Sequence, residues 1–348
     1  MAVGLVNARI GRQLVLLLGA AAAAFLVYWI GFGADRPAVE DPNSFVYTLL
    51  DGISISAVYF IVASGFTLMF GLMRVVNMAH GSLFVLGAYV ALTLQQHMVG
   101  VGSEEAVNSS DATFVNWVLP ALAGAGVAAI VGLLIQQTLL RWNQGQDLRQ
   151  ALITIAVSII AADQLLAHFG GIAKNMTWPN SLNDFVDFHV HGILYTRIKL
   201  FILALAIVIG ALLWFWLKRT RTGMVIRAGV DDRAMVSALG VNIQLVFAAA
   251  FLIGSALAGF GGAVWASQAG VAPGTDGSFL LHSLVVVIIG GMGSLGGAAV
   301  GSLLYGLVGT LAQAYLPGAY SSYSIIFTFM LLAVVLALRP TGLFGREA

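Results

Sequence analysis

The chain has no cysteine, and only 9% of its 348 residues are charged. The first absence excludes a disulfide frame and a thiolate metal site. The second excludes an ordinary soluble domain, in which about a quarter of residues carry charge. Lysine is scarcer still. Lys174, Lys199 and Lys218 are the whole complement, and none precedes Ser or Thr. A Walker A loop needs that pair to hold terminal phosphates and magnesium, so the chain has no such nucleotide site. No Ser/His/Asp set, zinc-binding helix or haem motif stands out. His189 and His191 supply two metal ligands at most, with nothing nearby to complete a set. A net charge of +1 argues against a nucleic-acid partner.

What remains is apolar: 59% hydrophobic residues and a mean hydropathy of +0.94. The 41 glycines sit inside apolar runs, as membrane helices tolerate. Helices satisfy their own backbone groups in lipid, so the expected fold is an all-α polytopic membrane bundle. At about 20 residues per span, ten candidates read out: 14–33, 53–73, 81–100, 117–140, 151–169, 199–217, 243–266, 279–292, 295–315 and 323–338. The first follows Arg9 and Arg12 and reads as a retained anchor rather than a signal peptide. The pair 279–292 and 295–315, joined by "GGMGSLGG", reads either as two spans or as a broken, re-entrant pair, giving nine to ten spans in all.

Ten passes put both termini on one side. Arg9, Arg12, Arg74, Arg141, Arg149, Lys218, Arg219, Arg221, Arg227, Arg233, Arg339 and Arg346 fall on that side, twelve of the sixteen basic residues. Most of the acids, Asp51 and Asp276 among them, fall at the other end. The positive-inside rule therefore places both termini in the cytoplasm. Outside, the segment 170–198 is rich in aromatics and is expected to pack.

Gly254, Ala258, Gly262 and Ala266 recur every four residues, as do Gly293, Gly297 and Gly301. This spacing shares one helix face and lets backbones approach closely. It reads as bundle packing or as a sliding surface. Asp163 and Gln164 lie within 151–169, past its midpoint. A charge at the bilayer centre costs about 2.5 kcal/mol or more. Asp163 is thus expected to face the bundle or a wet cavity, or to be protonated. It reads as a pathway or proton-binding residue, or as one solvated near the outer interface. His168 and His282 are placed near outer ends as packed residues. Asn77, His80 and Gly81 mark a cytoplasmic break between two spans, where Asn77 is able to cap the next helix. They read as a capped turn or as a gate.

The longest water-exposed basic-side stretch is "RAGVDDRAMVSALGVN", residues 227–242. Residues 231–239 read as a helix, with Asp231 and Asp232 at its start and Gly240 as its left-handed stop. Met235 and Leu239 share a face beside Ala238. This stretch, through Arg227, Ala228, Asp231, Asp232, Met235, Ser237, Leu239, Gly240 and Asn242, resembles the cytoplasmic loop of LivH-type branched-chain amino acid ABC importer permeases. Three further segments are similar to that family: "GLMRVVNMAHGSLFVLGAYV" at 71–90, "VVIIGGMGSLGGAAVG" at 286–301 and "RPTGLFG" at 339–345. The likeness runs from about residue 46 to the end, leaving 1–45 as an N-terminal extension with one helix.

The resemblance implies an importer in the bacterial inner membrane. It implies a second, similar or identical permease, two ATP-binding subunits and an external substrate-binding protein. It also implies that 231–240 is a coupling helix seated in an ATPase groove. This chain would bind no cofactor, since ATP and Mg belong to the partner subunits, and it would not itself be an enzyme. The implied cargo is a branched-chain or related small amino acid. Urea, short amides and small carboxylates are carried by similar systems. The rival readings are an ion-coupled transporter using Asp163 and a membrane scaffold.

Overall fold

The computed structural model describes residues 42–73, 77–99, 113–143, 145–187, 194–231, 233–240, 242–316 and 320–345, together with residues 16, 17, 19, 21 and 23–28. The elements are α1 (Pro42–Met73), α2 (His80–Val99), α3 (Val115–Ile135), α4 (Asp147–Phe169), β1 (Phe185–Asp187), β2 (Leu194–Thr196), α5 (Arg197–Arg219), α6 (Arg221–Asp231), α7 (Arg233–Ala238), α8 (Ile243–Gln268), α9 (Thr275–Gly290), α10 (Leu295–Tyr315) and α11 (Ser324–Leu338). The fold is an all-α polytopic membrane bundle. Among the described residues, eight helices are long and apolar enough to span a membrane, and α9 is a shorter apolar helix. A π-helical turn (Gln136–Leu140) and a 3₁₀ turn (Arg141–Asn143) extend α3 to the basic end, the end that carries α6 and α7. The opposite end carries the β1–β2 hairpin.

Lipid offers no hydrophobic drive for helix to meet helix, so close packing of small side chains must do so. Helix α8 lies at the centre and packs on α1, α2 and α3. A side chain added at Gly65 would strike the carbonyl of Gly254, and one at Gly254 would strike the carbonyl of Gly65. Gly87, Gly124 and Gly259 form a three-helix contact in which each lacks room for a methyl group. Gly262 rests on the Phe84 carbonyl, and Ala258 and Ala266 are buried. The second ladder is split. Gly297 and Gly301 of α10 pack on Gly290 and the Val286 carbonyl of α9, whereas Gly293 lies in the turn before α10. Its φ of +81° and that of Gly291, +101°, need glycine, because a Cβ clashes in that region. Ser294 then caps α10 by accepting from Gly297 N at 3.0 Å.

Helix α9 resolves the uncertain pair. Its 16 residues reach only about 24 Å, short of the roughly 30 Å hydrocarbon core. Its first turn lies inside the bundle, with Gly81 of α2 against the Asp276 carbonyl. Asp276 is consequently buried, not an exposed acid at the outer end. The described residues of the first predicted span are helical and pack on α10 and α11. Leu26 clusters with Ala312, Leu316 and Phe327, and Phe25 stacks on Phe327.

At the hairpin end, the segment between α4 and α5 is packed, as its aromatics led one to expect. Trp178 stacks on Trp117, whose Nε1 donates to Ser267 Oγ at 2.8 Å. Gln95 mimics a strand partner, exchanging two 2.8 Å hydrogen bonds with the backbone of Thr177. The hairpin is fastened to α1 through Asp51, which accepts from Lys199 Nζ at 2.5 Å and from Tyr195 Oη at 3.0 Å. His189 and His191 lie outside the described residues.

Two predictions follow from this packing. Gly262→Val forces α8 off the Phe84 carbonyl and costs more than the roughly 1–3 kcal/mol of ordinary overpacking. Gly126, with open space around it, is expected to accept Ala at no loss. Thermal unfolding in detergent, followed by the yield of monodisperse protein, compares the two. Burial, and then the Asp51 carboxylate, hold the Tyr195 phenol above its usual 10. Its contribution is therefore intact below pH 10 and is lost as pH rises through the higher folded value. The protection factors of the amides over 185–187 and 194–196, corrected for the intrinsic rise of exchange with pH, should fall only at strongly alkaline pH, and Asp51→Asn should lower them a few-fold at neutral pH, the scale of a part-exposed ion pair.

Candidate functional site

Two regions carry the residues singled out in the sequence: the short helices at the basic end and a polar segment inside the bundle. Thr220 starts the first. Its Oγ1 accepts from Gly223 N at 3.1 Å and donates to Trp216 O at 2.7 Å, so one side chain closes α5 and opens α6. Gly223, Ile226 and Gly229 recur every three residues and are buried, with Gly223 tight against the backbone of Trp216 and Leu217. Arg227 points to solvent. Thr220 followed by this spacing was the legible signal for α6, a helix the sequence reading had left out.

Asp231 therefore ends α6 rather than opening the next helix. The expected single helix over 231–239 is instead the end of α6 followed by α7, and Asp232 lies outside the described residues. Within α7, Val236 is 5% exposed and turns inward. Met235 and Leu239 are 58% and 75% exposed, one helical turn apart, with Leu239 N donating to Met235 O. Ser237 and Ala238 are exposed beside them. Gly240, at φ +79°, ends the turn. More than half of the surface of Met235 and of Leu239 is thus left exposed by the chain itself.

The polar segment lies deeper than a surface break. Because a carbonyl only accepts, His80 Nε2 donates to Val62 O, at 3.1 Å. Val62 is eleven residues from the end of α1, roughly 16 Å along the axis. The chain thus turns back into the bundle before α2 begins. Small residues, Ala79 and Gly81, make room for that return. The His80 ring packs edge-on to Phe66, and Nδ1 is buried without a partner. Asn77 Oδ1 accepts from Ala79 N at 3.1 Å, closing the turn. Thr154 and Ser158 of α4 meet this segment through Met78 N and Ser82 Oγ.

Further along, α4 meets α2 again where Phe169 stacks on Tyr89. A cleft of about 370 Å³ opens between it and α2 and α3, mostly apolar, with Ser82, Gln164 and His168 as its polar groups. Gln164 thus borders a cavity. Asp163 does not face the bundle. The inward stripe of α4 runs through Gln150, Thr154 and Leu165, and Asp163 lies on the exposed side. His282 is also misplaced by the sequence. It lies deep in α9 against Tyr59 and Tyr305. Gln136, on the π-helical turn, was missed altogether. Its buried amide oxygen and nitrogen both lack partners, and no pattern in the sequence marks such a turn.

The chain matches the family described as the permease component of branched-chain amino acid transport systems over residues 48–336. It is 26% identical over 310 residues to the high-affinity branched-chain amino acid transport system permease protein LivH of Escherichia coli, covering 87% of this chain and 96% of that one. It is 27% identical to BraD of Pseudomonas aeruginosa, with the same coverage, and 24% identical to LivM of Escherichia coli over 84% of this chain and 69% of that one. No solved structure matches. With eight helices among the described residues long and apolar enough to span a membrane, and this match over most of its length, the chain belongs to the branched-chain amino acid transport permease family.

Proposed function

We propose that this chain is the transmembrane permease of an ATP-driven importer that carries branched-chain or related small amino acids across a bacterial inner membrane. The observation that carries this reading is α7. It is a six-residue helix at the basic end, with Met235 and Leu239 turned outward. Buried apolar anchors supply most of an interface's energy, and Leu239, 75% exposed, leaves most of its surface open to a partner. The basic end is the cytoplasmic one, by its excess of Arg and Lys. There α6 and α7 form the coupling element that enters a groove on an ATP-binding subunit. The groove partner supplies the P-loop that this chain lacks, with its ATP and Mg. Arg227, exposed on α6, lies at the rim of that contact.

A second permease completes the pathway. Both LivH-type and LivM-type permeases are similar to this chain, which supports a related partner or a second copy. An external binding protein delivers the substrate to the hairpin end. Asn77, His80 and Gly81 act as an internal gate, where the start of α2 meets the start of α9. Asp163 faces the second permease or water at its border, because a charge turned to lipid at that depth is costly. Residues 1–45 are an extension whose helix braces α10 and α11.

Purification with its partners tests the reading. Two ATP-binding chains should co-elute with the wild-type protein and be lost with Leu239→Arg, which buries an unpaired charge at the contact, while Leu239→Met retains them. Association that survives Leu239→Arg contradicts the coupling role. In vesicles, uptake should require ATP and persist in Asp163→Asn under an uncoupler. Uptake by this chain alone, abolished by Asp163→Asn, would instead establish ion coupling.

A further inference from the structure

Between α1, α9, α10 and α11 lies a second cleft, of about 230 Å³, distinct from that beside α4. Its mouth is at the hairpin end, where Gln313 sits in the last turn of α10 and Ser324 opens α11. Its floor is at membrane depth. There Tyr59, His282 and Tyr305 meet ring to ring, with centroids 5.2, 5.3 and 5.7 Å apart. Thr310, Gln313 and Thr328 line the wall between mouth and floor. His282 Nδ1 is buried without a partner. Gly309 keeps the passage open, because a methyl there would press on Thr328 Cγ2 at 3.3 Å.

The chemistry of this lining is selective. Hydroxyls, an amide and an imidazole converge on a volume below that of typical drug-sized sites. Polar groups gathered at membrane depth need a partner, because each left without one costs free energy. No Asp, Glu, Lys or Arg is among the lining residues. A net-charged ligand would therefore enter without a counter-charge, which is costly at this depth. An apolar one would leave His282 Nδ1 unsatisfied. Ile55 and Ile325 add a small apolar wall.

We propose that this cleft receives a small, net-neutral dipolar solute arriving from the hairpin end, its ammonium and carboxylate held by the Tyr59–His282–Tyr305 floor and by Thr310 and Thr328, its aliphatic part against Ile55 and Ile325. The proposal rests on the importer reading and assigns it a substrate-contacting site within this chain. Such a site holds the solute only through hydrogen bonds and dipoles. That suits a carrier that must release it again on the other side.

The test uses the complete transporter, with its partner chains and binding protein, in vesicles supplied with ATP and labelled leucine. Tyr59→Phe and Thr310→Val each remove one hydroxyl and keep shape, and Gly309→Val narrows the passage. For each hydroxyl variant, kcat/KM for uptake is expected to fall about tenfold, the scale of one hydrogen bond to a charged group, while the complex still co-purifies. Because the binding protein is unchanged, the loss is assigned to the permease. If wild-type uptake is robust and all three variants transport within twofold of it, the cleft proposal is overturned and the importer reading stands. If the wild-type complex moves no leucine, both are overturned.

Discussion

The bundle depends on the contact of helix backbones without side chains between them. Around α8, Gly65, Gly87, Gly124, Gly254, Gly259 and Gly262 bring four helices to distances that a methyl group would prevent. In lipid this is a principal source of helix cohesion, because lipid chains cover leucine as well as another helix does. Everything of functional interest is referred to that core. It fixes α2 so that His80 reaches the Val62 carbonyl, and it sets Phe84 against Phe279 so that α9 begins inside the bundle. The start of α9 in turn sets the depth of His282 and the floor of the polar cleft.

The same helix links core to surface. Asn242 caps α8 two residues after Gly240, and the proposed coupling role would pass a displacement of the Met235–Leu239 pair to that helix. Flat glycine faces resist separation yet offer no interlocking side chains against sliding. A packed core and a movable one are thus compatible here, and the proposed coupling uses both properties.

Much of this was legible in sequence. Apolar length located the spans, and the four-residue glycine spacing located the face of α8 that packs. The turn chemistry of Asn77 and Gly240 read correctly because those effects are local. What failed was depth. A break such as Asn77–Gly81 looks like a surface loop in one dimension, and only the Val62 carbonyl shows that the chain folds back inward. Asp276 and His282 were placed near an outer end for the same reason, since α9 starts below the surface and hydropathy does not record where a short helix begins. Asp163 was expected to face the bundle or a wet cavity, to be protonated, or to be solvated near the outer interface, and of these the first does not hold. The inward stripe of α4 is set by Gln150, Thr154 and Leu165, and Asp163 lies on the other side of the helix. The cleft floor joins Tyr59 of α1 to His282 and Tyr305 of the distant α9 and α10, so no motif announces it.

The absence of cysteine offers the most direct measurement of the central claim, that α7 is an interface with a separate ATP-binding chain. A single Leu239→Cys substitution, in a chain with no other thiol, can be cross-linked in assembled membranes with a short bifunctional reagent. The account predicts an adduct between this residue and an ATP-binding subunit, with yield that changes when nucleotide is added. Labelling of Cys at 239 by water-soluble reagent at full rate in the assembled complex, with no adduct to any partner, would contradict it.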